Sequence, residues 1–539
     1  MTEENNPDDA SKKQSNRELV NNLTRDCLRD HEVFVDTQNH PFIAINGSGA
    51  EVLDLENGDF QEWLTGDTLD FETGECIDSH SADEVVRRLI SVAKRRKDGK
   101  EPKPLSVRIA RVSSPDGKPL ELWYDLRDED GLAVHITKNG YTIEAPPPIF
   151  RRYDYQKEQV KPQTKMDGKW DDIFEIINLP NREDRVVFTI FAISCFVADF
   201  PKPILLIQGT NGSGKSTPCR LLHSLLDESD IVPGTALVKD TGELARQMNR
   251  FCLLHFDNID NKEISSELSN ALCRITSGEA FVKRALFTDD KDVVYKGQRP
   301  IIMNGIGNLV EKEDILDRSI IISMRRIPED KRKTEAYIFS RFKEMKPYLL
   351  DKIFITLSKA LAIYPAIHLK SSHRLADFEE LGFAIAEALD GYSGKEWLEA
   401  YDRVVKRQVE SAFEENPTAQ IAKFLVDRSK FHIWEGTATN MHTFQFSEDD
   451  GYKLDKIDRE IIRSIKEHPK WPKTPSALGV QLNQAESVLR SLGILVEHST
   501  SEKGFFKNKA RWITLKDYGW IKTNEKPQNK KDELDIIPF

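Results

Sequence analysis

The stretch Ile204-Leu205-Leu206-Ile207-Gln208-Gly209-Thr210-Asn211-Gly212-Ser213-Gly214-Lys215-Ser216-Thr217 decides how the chain is read. An apolar run passes into Gly209–Ser216, spaced G-x-x-x-x-G-K-S, and then into a helix-like run from Thr217 to Leu226. Strand, glycine-rich loop and helix in that order specify a phosphate-binding loop. Gly209, Gly212 and Gly214 let the backbone curl so that its N–H groups face one anion. Thr210, Asn211, Ser213 and Thr217 complete the cradle. The helix adds the positive end of its dipole. Lys215 is spaced to reach β- and γ-phosphates, and the Ser216 hydroxyl to complete a Mg²⁺ shell. The loop by itself therefore specifies a nucleotide with Mg²⁺.

Further along, Phe251–Asn258 reads as a strand ending in an acid, about 40 residues beyond the loop. In a parallel sheet such a strand brings Asp257 to the carboxyl edge beside the loop, as a second Mg²⁺ ligand. Pro300–Asn304 reads as a third buried strand. Asn304 there can orient an attacking water or touch a γ-phosphate; the plain alternative is a strand-end turn, since Gly305 follows. Phe281–Phe287 and Val293–Lys296 read as a β-hairpin carrying Lys283, Arg284, Lys291 and Lys296. Asp314–Arg318 leads into a fourth strand, Ser319–Ser323.

The ordered set of Gly209–Ser216, Asp257-Asn258, a basic hairpin, Asn304 and Asp317-Arg318 resembles the superfamily-three branch of AAA+ helicases. It looks most like the replicative helicase-type ATPases of phages, plasmids and integrated mobile elements. The stretches Leu272–Gly278, Arg284–Asp289 and Arg299–Ile306 are similar to that branch's linear signature, and the resemblance is specific over residues 200–330. It implies Walker A roles for Lys215 and Ser216, a Walker B role for Asp257 and a sensor role for Asn304. It implies that Arg318 is an arginine finger completing a neighbouring subunit's site, hence a self-assembled hexameric ring; the bland alternative is a salt bridge to Asp314 or Asp317. It implies 3′-to-5′ movement on single-stranded DNA gripped by the hairpin, with Lys291 near its tip. One position departs from the AAA+ pattern. Asn258 stands where many such ATPases have a Glu that activates water, leaving Asp260 or Glu279, or position and charge alone, for that task.

The fold class expected for the 539 residues is multidomain: a disordered stretch (1–18), an α+β domain (19–150), a linker (151–169), an α/β P-loop core of AAA+ type (170–330), a helical region (331–417), a winged helix (418–520) and a tail (521–539). Strands are expected at Pro41–Ile45, Leu105–Ala110, Leu120–Leu126 and Ala133–Ile136. A capping box at Ser81–Glu84 starts a helix whose cationic end, Lys94–Lys97, complements its dipole more simply than it binds nucleic acid. Asp128–Gly131 reads as a hairpin turn, not a metal cluster. Six cysteines without a C-x-x-C pair read as buried thiols of a cytoplasmic protein. No apolar run is long enough to span a membrane. The net charge of −12 argues against an indiscriminate nucleic-acid binder.

Helices are expected at Thr334–Phe342 and Leu349–Leu361, and Arg374 is a candidate second sensor or a plain helix-start arginine. In the C-terminal region, Ala419–Asp427 is a helix and Trp434–Thr439 introduces another. Thr474–Leu482 and Gln484–Leu492 form a helix-turn-helix pair, and Ile494–Glu497 with Phe505–Leu515 form a wing. Lys503, Lys507, Lys509 and Arg511 fall on that wing, where they meet DNA phosphates or serve as an ordinary soluble surface. The chain closes on Asp532-Glu533-Leu534-Asp535-Ile536-Ile537-Pro538-Phe539, which resembles the acidic-apolar tip of bacterial single-stranded-DNA-binding proteins. Asp532, Asp535, Ile537, Pro538 and Phe539 are accordingly candidates for docking onto host replication proteins, against the alternative of an ordinary tail. Two functional classes follow: a ring helicase or translocase, and an ATP-switched initiator or loader that unwinds nothing. A small-molecule kinase explains neither the hairpin nor the winged helix.

Overall fold

The computed structural model describes residues 7–45, 51–70, 76–95, 101–165, 167–231, 234–260, 264–279, 281–284, 292–295, 297–307, 309–310, 313–370, 373–446, 452–501 and 510–518. The chain divides into two compact units, residues 1–310 with 318–400, and residues 311–317 with 401–539.

The first unit opens with α1 (Pro7–Asp30), β1 (Glu32–Val35), β2 (Pro41–Ile45), β3 (Glu51–Asp54), α2 (Asp59–Asp67) and α3 (Ser79–Lys94). The helix α1 corrects the expected disorder over residues 7–18, while residues 1–6 of that stretch lie outside the described residues. Pro7 suits a first helical turn, and the residues after it are mostly good helix formers. The strands β1-β2-β3 form an antiparallel sheet, and Ile43, Phe60, Leu64, Val85 and Leu89 fill the core beneath the helices. The N-cap of α3 is Asp78, whose carboxylate accepts from the Ser81 amide, so the helix starts before the Ser81–Glu84 box. A second antiparallel sheet follows in the order β4 (Ile109–Ser113), β5 (Pro119–Asp125), β6 (Ala133–Thr137) and β7 (Gly140–Glu144). The β5–β6 turn is held by Asp128, whose Oδ1 accepts from the Leu132 amide at 2.7 Å, with Gly131 at φ +68°.

Residues 151–165, expected to be a linker, pack closely instead. The Lys157 amide donates to Glu228 O and the Gln159 amide to Leu126 O, each at 2.8 Å. Arg152 pairs with buried Asp125 at 2.7 Å. Tyr155, Gln156 and Gln159 are buried.

Next come α4 (Arg182–Ser194), β8 (Ile204–Gly209), α5 (Ser216–Leu226), α6 (Thr241–Arg250), β9 (Leu254–Ile259), α7 (Ser266–Ser277), β10 (Phe281–Arg284), β11 (Asp292–Tyr295), β12 (Ile301–Gly305), α8 (Glu313–Leu316) and β13 (Ser319–Met324). The order β13-β8-β12-β9 makes a four-stranded sheet whose pairings are all parallel. Parallel strands are covered on both faces, and β8 accordingly reads as a continuous apolar run with Ile204–Ile207 buried. The strands β10 and β11 form a separate antiparallel hairpin. Two helices then pack on this unit, α9 (Glu335–Ile363) and α10 (Ala376–Ala388). One helix thus replaces the two expected at 334–342 and 349–361, with Pro347 inside it. Buried Met345, Leu349, Leu350 and Ile353 continue a shared apolar face across the proline.

The chain passes into the second unit through α11 (Gly394–Glu414) and continues with α12 (Pro417–Arg428), β14 (Ile433–Gly436), α13 (Ala438–His442), α14 (Lys456–Glu467), α15 (Pro475–Gln484), α16 (Glu486–Ser491), β15 (Ile494–Ser501) and β16 (Ala510–Asp517). Trp434–Gly436 is a strand, with the expected helix beginning only at Ala438. The strands form an antiparallel sheet, β14-β16-β15, packed on α12, α15 and α16 through Trp434, Leu425, Leu478, Leu489 and Leu515. The helix α14 is an element the sequence reading did not place. No helix among the described residues is long and apolar enough to cross a membrane.

Candidate nucleotide site

The loop that follows β8 takes its shape from two left-handed glycines, Gly212 at φ +77° and Gly214 at φ +80°. At Gly209 a Cβ would lie 2.6 Å from Met324 O and from Ser213 Oγ, so the backbone of β13 leaves no room for a side chain. Local bonds close the curl: Ser213 N donates to Thr210 O at 3.2 Å, and Thr217 N to Gly214 O at 3.1 Å. The segment after β13 braces it from outside. Asn178 Nδ2 bridges Ser213 O and Arg325 O at 3.1 and 2.8 Å, and Ile327 N donates to Gly212 O at 3.1 Å. Arg332 also approaches, with an Nη2 3.2 Å from where a Cβ on Gly212 would stand. Sequence reasoning missed Asn178, Ile327 and Arg332, since nothing local marks them as neighbours of the loop.

Asp257 reaches the same place through a bulge. Along the parallel pairing of β9 and β12, Met303 faces Phe256 and Gly305 faces Ile259, so Asp257 and Asn258 together oppose Asn304. Asn258 takes the left-handed conformation, φ +56°. Asn304 Nδ2 donates to Asp257 Oδ1 at 2.5 Å and to Ser216 Oγ at 3.3 Å, and Ser216 Oγ donates to Asp257 Oδ1 at 3.5 Å. Asn304 is fully buried, and behind it His255 Nε2 lies 3.1 Å from Asn304 Oδ1. That contact makes Nε2 the protonated nitrogen and turns the Asn304 amide nitrogen toward Asp257. Burial holds His255 below the ordinary imidazole range, keeping the ring neutral in this role. Thr235 O accepts from the Asp257 amide at 3.0 Å. Beside it, Gly234, at φ +96°, leaves the space that Asp257 occupies: a Cβ there would lie 2.9 Å from the Asp257 Cβ.

The structure thus brings Lys215, Ser216, Asp257 and Asn304 to one end of β8, β9 and β12. The set fits a magnesium nucleotide. A hydroxyl and a carboxylate are hard oxygen donors of the kind Mg²⁺ takes. The curled backbone at a helix N-terminus suits a polyphosphate, and Ser213 Oγ in the loop is buried without a hydrogen-bond partner.

Arg318 is placed elsewhere. Its carbonyl accepts from Ile204 N at 2.8 Å, at the start of β8, whereas the loop leaves the far end of that strand. Five residues of strand put about 17 Å between the two ends. Lys283 and Arg284 stand on β10 opposite Val293 and Asp292, with their side chains outside the described residues. Arg511 lies on β16 opposite Thr500. Lys291, Lys296, Lys503, Lys507, Lys509 and the tail residues Asp532, Asp535, Ile537, Pro538 and Phe539 lie outside the described residues. Asp260 and Glu279 are exposed, and the Glu279 amide donates to Arg274 O at the end of α7.

No curated protein matches the chain. Among solved structures, one described as SCCmec type IV Cch, an active helicase, shares 12% identity and aligns over 92% of this chain and 94% of that one with a TM-score of 0.39. The C-terminal region of NrS-1 shares 14% over 90% and 96%, with a TM-score of 0.37. A full-length MCM homolog from Methanopyrus kandleri shares 12% over 66% and 90%, with a TM-score of 0.28. Residues 170–407 match the family model of the actinomycete integrative conjugative element replication protein, AICE RepA. Residues 418–530 match the model of the AICE RepA C-terminal domain. Residues 170–407 and 418–530 are thus similar to the two parts of a replication-protein family of integrative conjugative elements.

Proposed function

We propose that the protein is an ATP- and Mg²⁺-dependent DNA helicase or translocase that serves replication of its mobile element. The observation that carries this reading is the Ser216–Asp257–Asn304 triangle beside the phosphate loop, in a region that matches a replication-protein family. Backbone N–H groups of residues 209–217 and the Lys215 ammonium hold the phosphates, and Ser216 and Asp257 hold Mg²⁺. When bound, the metal neutralises charge on the phosphate oxygens. Asn304, fixed by His255, orients Asp257 and meets the terminal phosphate or its attacking water.

Arg318 stands about 17 Å along the sheet from its own loop. That suits an arginine finger reaching a neighbouring copy, and favours a closed ring, hexameric by the resemblance to superfamily three, moving 3′ to 5′ on single-stranded DNA. The hairpin with Lys283, Arg284, Lys291 and Lys296 grips the strand by its phosphates. The C-terminal sheet and helices act as a winged helix, with Lys503, Lys507, Lys509 and Arg511 on its wing. The tail tip engages host replication proteins.

A second reading, an ATP-switched initiator or loader without unwinding activity, is favoured by Asn258, which supplies no base. An ATPase and strand-displacement assay with and without single-stranded DNA separates the two. The helicase reading expects DNA-stimulated hydrolysis with displacement, and Lys215→Ala abolishes both. Stimulated hydrolysis without displacement selects the loader, and hydrolysis indifferent to DNA removes the helicase.

A further inference from the structure

An open groove of about 520 Å³ lies in the second unit, along α14 and the end of α13. Its floor is apolar: Phe444, Leu454 and Ile462. Its rim carries three cations of α14, Arg459, Arg463 and Lys466, which are exposed. Lys466 Nζ stands 4.9 Å from the centre of the Phe444 ring, so the rim charge sits directly over the floor. Arg463 meets Glu467 at 2.8 Å, but both side chains are more than half exposed, and such a pair is easily exchanged for a better anion.

A ligand for this groove needs an apolar end and several negative charges. The chain itself supplies one. Residues 532–539 combine Asp532, Glu533 and Asp535 with Ile536, Ile537, Pro538 and Phe539. The thirteen residues 519–531 separate them from Tyr518. Extended, that tether spans roughly 45 Å, more than the roughly 35 Å across a compact body of about 100 residues. DNA phosphates would satisfy the rim and leave the apolar floor without a partner. We propose that the groove receives the chain's own C-terminal segment Asp532–Phe539, with the Phe539 ring on Phe444 and Ile462 and the acids on Arg459, Arg463 and Lys466. Docked in this way, the tip is withheld from outside partners until it is released. The inference is independent of the ATPase reading.

The test uses a labelled peptide of residues 526–539, followed by fluorescence anisotropy. It should bind saturably to a chain ending at Lys531 and at least about tenfold more weakly to the full chain, whose groove is filled. Phe539→Ala in the peptide should weaken binding by about tenfold or more, as should Arg459→Glu with Lys466→Glu in the chain ending at Lys531. Arg459→Lys with Lys466→Arg should retain it, showing that charge and not folding is read. Equal binding to the full and shortened chains would overturn the proposal, as would indifference to the charge reversal. A shortened chain that bound oligothymidylate through these cations, and not the peptide, would overturn it as well.

Discussion

Arg108→Ala is expected to loosen the seat of the phosphate-loop helix from a position 107 residues upstream of Lys215. Arg108 is buried at the head of the β4–β7 sheet, and its Nε donates to Asp227 Oδ1 at 2.7 Å, with both side chains almost wholly inaccessible. The remaining guanidinium N–H groups donate to Asp125 O at 3.1 Å, Lys157 O at 2.8 Å and Glu228 O at 2.9 Å. One side chain thus ties together the sheet, the 151–165 strap and the end of α5, where Asp227 follows Leu226. Asp227 would lose its ion-pair partner and keep the 3.3 Å hydrogen bond from Gln156 Nε2. Removing one member of a buried ion pair costs about 3–5 kcal/mol. At 1.36 kcal/mol per decade, 4 kcal/mol is about a thousandfold. Native-state hydrogen exchange of the Lys157 and Gln159 amides, and of the 216–229 segment, should therefore accelerate by about that factor. Replacing both partners, Arg108→Met with Asp227→Leu, should recover most of the loss, because no uncompensated charge remains. Acceleration of less than about tenfold in Arg108→Ala would refute the argument that this charge holds the strap and the helix together.

Gly234→Val should cut Mg²⁺-dependent ATP turnover at least about tenfold while leaving a folded protein, since a Cβ at φ +96° would stand 2.9 Å from that of Asp257; unchanged turnover with ordinary Mg²⁺ dependence would remove Gly234 from the site. His223, buried in α5, is pushed down to about 4 by desolvation from an ordinary value near 6.5. Its folded pKa is depressed, so its neutral form contributes stability that is complete above pH 6.5 and lost as pH falls towards 4, by about 3 kcal/mol at most. His223→Leu should flatten that stretch of the stability–pH curve measured by denaturant titration. Mixing Lys215→Ala with Arg318→Ala, each inactive alone, should restore part of the ATPase, because one kind of interface then pairs an intact loop with an intact arginine. No recovery on mixing assembled copies would place Arg318 outside a shared site.

What could be read from the sequence follows the range of the interactions. The phosphate loop was legible because its chemistry lies within eight consecutive residues, where glycine spacing states the backbone conformation outright. The strands ending at Asp257 and Asn304 were legible because buried parallel strands are short apolar runs with polar ends. Arg108 was not, since its partners lie 17, 49, 119 and 120 residues away. The 151–165 strap is polar and follows three prolines, which is also how a loose connector reads. Only the distant carbonyls and carboxylates that satisfy it reveal a packed element. Pro347 carries the matching lesson for α9. A proline removes one helical hydrogen bond, but a buried face shared by the turns on either side can hold the helix together.

Asn258, the residue after Asp257, is shaped by the same bulge that aims the carboxylate. Taken from the sequence, Asn258 is a missing acid, and a reason to expect slow hydrolysis. The geometry gives a cause for the asparagine itself. Two residues of β9 stand against the single Asn304 of β12, and the second of them, at φ +56°, closes the bulge in left-handed backbone. That conformation costs an ordinary L-residue about 1–2 kcal/mol, and Asn tolerates it because its short amide bonds locally. A glutamate would bear the strain without that compensation. Asn258 is moreover exposed, outside the triangle of Ser216, Asp257 and Asn304. The bulge that brings Asp257 onto the Asn304 amide is the same feature that selects asparagine next to it. The identity of residue 258 therefore reports how Asp257 is aimed, and whether hydrolysis is fast rests on the groups that face the loop.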